Sequence, residues 1–313
     1  MRFSITTPVT VLLVTLMLPC LDGCGTKAAK KGGGLTVQQR LEKAEKETTP
    51  DKQAAGYLRA AKAQLTSGDK SGARDSARTA FDRLKGGGEA NLFAPRLVDV
   101  ADFLAEIGDK KPAKDALLLA SEMADGIADP VRRTKVLADA GAVAGDKSQG
   151  IGEAALAKQL LTQATTVADS VEERFRAEAL AAVALGWTRA GQADAAAEMV
   201  GRLEESAKAL EEPRAKAEAL AAAAGVRAQT GKKDEATSLL SEAAAAAKSI
   251  DRSEGRAYAL LAVASAMDAA GDTTQALTLL KEADKAANKV SDPAQQKVVM
   301  DKVRTAISQL ETK

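Results

Sequence analysis

The stretches RAEALAAVALGWTRAG (176–191), KAEALAAAAGVRAQTG (216–231) and RAYALLAVASAMDAAG (256–271) align without a gap. Each places a leucine eleven residues before its closing glycine, at Leu180, Leu220 and Leu260. Working outward, the glycine recurs as Gly68, Gly108, Gly152, Gly191, Gly231 and Gly271, in steps of 40, 44, 39, 40 and 40 residues. A fixed period of this size marks stacked helical pairs, each too thin to bury its apolar face alone.

The segment before each glycine is a helix A, and the segment after it a helix B. Five residues after the glycine lies alanine every time: Ala73, Ala113, Ala157, Ala196, Ala236 and Ala276. Twelve residues after it lie Ala80, Ala120, Ala164, Leu203, Ala243 and Ala283, with pairs such as Leu160–Leu161, Leu239–Leu240 and Leu279–Leu280 between. These offsets follow one face of an α-helix and not the alternation of a strand. Helix B stops at Asp129-Pro130, Pro213, Asp251 and Asp292-Pro293, since proline cannot continue a helix. The glycines suit the left-handed residue that commonly ends a helix. Asp69, Asp109 and Asp272 directly after them, and Asp194 and Asp234 three residues later, are expected as caps or first-turn charges of helix B rather than as metal ligands. The 44-residue step comes from an insertion, GDKSQGIG (145–152). It lacks the lysine-serine ending and preceding strand of a phosphate loop, so it is expected on the surface.

The pattern resembles the tetratricopeptide repeat family, in a long variant with a period of about 40 residues. The resemblance covers residues 50–313. It rests on a small residue seven before the glycine (Ala61, Ala101, Ala184, Ala224, Ala264) and on the two alanine positions of helix B. The bulky position four before the glycine holds Gln64, Leu104, Trp187, Arg227 and Met267, and the prolines come late, so helix B is longer than in the family. The resemblance implies an all-α fold, an α-solenoid of about six helix-pair repeats, whose A helices line the concave side and hold a protein or peptide partner.

Residues 1–24 carry Arg2, an apolar run from Val9 to Leu18, and LDGC. The run is too short to span a bilayer and has the form of an export signal. The ending resembles a bacterial lipobox, which implies cleavage after Gly23 and acylation (palmitate among the acyl groups) of Cys24. Ordinary secretion, or an uncleaved anchor, is the alternative. The expected organisation is a lipoprotein signal peptide over 1–23, a flexible tether over 24–34 and the solenoid over 35–313, closed by a capping helix. The tether lacks any large apolar residue and spans roughly 18 Å. Residues 35–49 are expected as a helix, and Gly86-Gly87-Gly88 as a break between the first two repeats.

Composition narrows the chemistry. The chain has no histidine, so imidazole bases and histidine metal sites are excluded. Its two cysteines are Cys20 and Cys24, which leaves no disulfide in the exported part. Aromatics are 3% and the net charge is +1, which argues against nucleic acid. No catalytic group, cofactor or metal is expected, and the chain is expected not to be an enzyme.

Arg133, Arg176, Lys216 and Arg256 lie four residues before the helix A leucine. Stacked, they form a cationic row. It is either a groove for an acidic partner or is paired to acids near the end of the preceding helix B, such as Glu173, Glu211, Glu212 and Glu254. The reading is therefore a lipid-anchored scaffold of the bacterial envelope that presents a helical surface to a protein or peptide. The alternative is a structural spacer without a dedicated ligand, and an enzyme on a helical scaffold is a third.

Overall fold

The computed structural model describes residues 35–312. Those residues form fourteen α-helices and no strand. A short helix, α1 (Val37–Glu45), precedes six pairs. The pairs are α2 (Pro50–Thr66) with α3 (Lys70–Leu84), α4 (Ala90–Glu106) with α5 (Lys110–Ala124), and α6 (Pro130–Gly145) with α7 (Ala154–Asp169). They continue as α8 (Glu173–Arg189) with α9 (Ala193–Ala209), α10 (Pro213–Gln229) with α11 (Lys233–Lys248), and α12 (Ser253–Ala269) with α13 (Thr273–Ala287). A last helix, α14 (Pro293–Glu311), follows them. The chain is a helical-repeat solenoid.

The six glycines do what their spacing requires. All have a positive φ, between 71° and 95°. At Gly108, the amide of Asp109 donates to Leu104 O at 2.8 Å and the amide of Gly108 to Ala105 O at 2.9 Å. This paired closure satisfies two carbonyls that the helix end leaves free. The same two bonds form around Gly68, Gly191, Gly231 and Gly271. Asp69 and Asp272 then cap the next helix, accepting from Gly72 N at 2.9 Å and Gln275 N at 3.0 Å. Asp109 instead takes both nitrogens of an Arg78 fork, at 2.6 and 2.9 Å. Pro130, Pro213 and Pro293 open the A helices α6, α10 and α14, where a missing amide costs nothing.

The insertion changes the closure of α6. The chain folds back on the last turn, with Ile151 N donating to Val143 O at 3.0 Å and Glu153 N to Ala144 O at 2.7 Å. Asp146, only 4% exposed, ties the loop together by accepting from Ser148 N, Ser148 Oγ and Gln149 N at 2.7–3.1 Å. The insertion is thus a surface corner, exposed at Lys147, Ser148 and Gln149 and tied around a buried carboxylate.

The core consists of the repeated small positions. Every alanine five residues after a glycine is 0% exposed. Alanine removes little side-chain entropy and lets helices approach closely. The approach is tightest at α6 to α8. There Leu161 of α7 fills the space left by Gly141 and Gly186, and a Cβ on either glycine would lie 2.5 or 2.6 Å from it. Along the stack, each A helix packs on the A helix of the next pair from α2 to α14. Contact between B helices is slight, so the A layer is the tighter, inner side.

The two ends differ from the middle. Ala44 of α1 sits against Gly56 of α2, where a Cβ would come within 2.6 Å of it. In α14, Arg304 occupies the register of Ala264, and its Nε reaches back 3.1 Å to Asp284 of α13. Only Val299 and Val303 of α14 are fully buried.

Candidate functional site

The cationic row falls in the first turns of α6, α8, α10 and α12, and all four side chains are half-buried. Each turns toward the end of the preceding B helix. Arg176 donates to Val171 O at 3.1 and 3.3 Å, Lys216 to Lys208 O at 3.2 Å and Arg256 to Ile250 O at 2.6 Å. Arg133 pairs with Asp125. The cations meet mainly backbone carbonyls, not the anticipated glutamates, because a helix C-terminus presents unpaired carbonyls and the negative end of its dipole. Glu212 is engaged elsewhere, capping α10 at Ala215 N, 2.6 Å away.

What the A helices leave open is a different stripe, on the side away from their B partners. In α10 it runs through Glu218, Ala222, Gly225 and Gln229. Two of its positions lie two and five residues after the repeated leucine register, and their chemistry changes along the stack. Helix α2 presents Arg59 and Lys62, α4 presents Asp99 and Asp102, and α6 presents Asp139 alone, since Ala142 at the second position is buried. At these two positions the charges then stop, although Glu178 of α8 and Glu218 of α10 lie one turn earlier on the stripe. Helix α8 has Ala182 and Leu185, α10 has Ala222 and Gly225, and α12 has Ala262 and Ser265. Helix α14 restores a cation, Lys302, whose Nζ lies 5.1 Å from the centre of the Tyr258 ring.

The three aspartates are not equivalent. Asp99 pairs with Arg96 at 2.9 Å, and Asp102 with Arg189 at 2.6 Å. Arg189 also reaches Asp146 at 3.1 Å, so one guanidinium joins α4, the corner after α6, and α8. Burial would raise Asp146, but hydrogen bonds from Ser148, Gln149 and Arg189 outweigh it and hold the group below its ordinary value. Asp139 makes no hydrogen bond or ion pair among the described residues. It keeps an open side to solvent, yet the flanking helices crowd it and remove much of its hydration. That loss, added to by Asp99 and Asp102 and opposed by Lys135 and Arg189, raises it to about 6. Asp99 is raised for the same first reason, with Arg96 and Lys62 pulling the other way.

Sequence reasoning singled out the repeated cations and passed over this stripe. Counting two and five residues onward from each leucine finds it, but its residues differ from repeat to repeat and so give no periodic signal. A separate cleft of about 770 Å³ lies beside Lys216, lined by Leu210, Glu211, Glu242 and Ser249 among others. Among the described residues, no group of three cysteines or carboxylates is placed to hold a metal ion, and no helix is long and apolar enough to cross a membrane. The signal segment, Cys24 and the tether lie outside the described residues.

No family model and no curated protein matches the chain. Solved structures do. BtubC (BKLC) from P. vanneervenii is 15% identical, with 77% of this chain and 91% of that one covered and a TM-score of 0.40. A Rap protein complexed with Competence and Sporulation Factor is 13% identical over 86% of this chain and 80% of its own, with a TM-score of 0.36. NprR in complex with its cognate peptide NprX is 15% identical over 88% and 76%, also at 0.36. These likenesses are distant, and the solenoid assignment rests on this chain's own helices.

Proposed function

We propose that this chain is a lipid-anchored scaffold of the bacterial envelope that holds a protein or peptide partner on the exposed stripe of its A helices, without covalent chemistry. The observation that carries the reading is that stripe. It continues across seven helices, packing consumes only Ala142 of the two positions on each helix, and its residues vary where the packing residues repeat. Surfaces that serve only stacking need no such variation. The membrane tether is supported by the sequence LDGC after a short apolar run.

The test is capture from detergent-solubilised envelope with two variants of the full chain. Ala222→Glu with Ala262→Glu alters the A stripe, whereas Ser241→Glu alters the exposed side of α11. Loss of capture with the first and retention with the second supports the reading. Equal capture by both overturns it and favours the spacer role.

A further inference from the structure

The proposed binding stripe has an order of chemistry along the stack, and that order specifies what lies on it. Arg59 and Lys62 of α2 make no ion pair among the described residues. The acids of α4 are already matched by Arg96 and Arg189. Asp139 of α6 has no such match. Lys135, one turn earlier on the same helix, acts on it only through space, and Arg189 is spent on Asp102 and Asp146. The next three A helices offer only Ala182, Leu185, Ala222, Gly225, Ala262 and Ser265 at these two positions.

A partner covering this face would strip the remaining water from Asp139. An unpaired carboxylate under an interface is costly, whereas one matched by a cation is not. We propose that the occupant is an extended polypeptide segment that runs across the A helices, with an acidic side chain over α2, a lysine or arginine on Asp139, and uncharged apolar side chains over α8, α10 and α12. This rests on the A-stripe reading above and adds the partner's charge order to it. Stacked helices lie about 10 Å apart and a segment in the polyproline II form advances about 3.1 Å per residue with about three residues per turn, so each helix corresponds to about three residues of the segment and every third side chain faces the stack. The acid and the base are then about six residues apart, and the apolar side chains follow at every third residue beyond the base.

The probe is a synthetic fluorescein-labelled peptide of this pattern, made in both chain directions, with Glu over α2, Lys over α6 and leucine at the three later positions. Its control exchanges Glu and Lys. Fluorescence polarisation with the full chain reads binding. The patterned peptide, in one direction, should bind about fivefold more tightly than the exchanged one, the size of one exposed charge pair. Asp139→Asn, which keeps the shape, should reduce the preference to the part that Arg59 and Lys62 supply, and Asp139→Lys should cancel it, with melting curves showing that both variants are folded. Equal binding of the two peptides, an unchanged preference in Asp139→Asn, or no binding by either peptide at millimolar concentration overturns the inference. The envelope capture experiment is independent. Capture that depends on the A stripe, together with peptides that show no charge order, leaves the scaffold reading standing and removes this one.

Discussion

A single backbone angle recurs at the joint inside each helical pair of this molecule. Gly108, at φ +82°, has open space where a side chain would go, so a substitution there meets no clash and pays only the left-handed angle. Gly108→Ala should lower stability by about 1–2 kcal/mol. Gly86→Ala, equally unobstructed and without a positive φ, is the control and should change little. Chemical denaturation of the two variants measures the difference, and equal losses would remove the angle as the cause. Asp139 gives a second test at this scale. Its folded pKa, about 6, lies above the ordinary 3.8, so the fold prefers its neutral form. That contribution is complete below about pH 4 and is lost as pH rises through about 6. Asp139→Asn should therefore melt increasingly above the wild type as pH rises through this window, with the gap smallest at its acid end. A constant gap across the window would contradict the assignment.

At the scale of elements, repetition and variation carry different meanings. Position-by-position recurrence exposes packing, so the glycine joints, the buried alanines and the helix boundaries were readable before any coordinates. Helix α1 is shorter than its sequence suggested, since the expected 35–49 span reduces to Val37–Glu45 before Thr49 and Pro50 open α2. The binding stripe was not readable in the same way. Arg59, Asp99, Asp139 and Ala182 share one register but no chemistry. Only the burial of everything around them reveals them as the surface left over. The repeated cations, by contrast, recur because each B helix ends in the same unpaired carbonyls. Reversing two of them, Arg176→Glu with Lys216→Glu, should set like charge against two helix C-termini and cost about 0.3–1 kcal/mol at each. The expected result is a lower melting temperature with partner capture intact at low and high salt. Capture that falls most steeply at low salt would restore the row as an electrostatic groove.

At the scale of the whole molecule, the proposed attachment and the fold fall on separate stretches of the sequence. The helical stack begins at α1, after the proposed acylation site. Cys24→Ser should abolish incorporation of a fatty-acid analogue and move the protein from the membrane fraction to the soluble one. Its far-ultraviolet circular dichroism should stay fully helical. Cys20→Ser should leave labelling unchanged. Equal labelling of the wild type and Cys24→Ser would end the lipoprotein reading.

One arginine alters how this chain comes apart. In a linear array of modules coupled only to adjacent ones, opening can begin anywhere and travel one module at a time. Arg189 bridges Asp102, 87 positions earlier in the chain, and so ties a module to its second neighbour. It also locks the corner at Asp146 that lies between them. The modules α4–α5, α6–α7 and α8–α9 should then open as one cooperative block, while the outer modules fray first. Amide hydrogen exchange should show one shared protection level across these six helices and lower, graded levels toward both ends. Arg189→Ala should split the shared level into separate steps, turning a single mechanical unit into three.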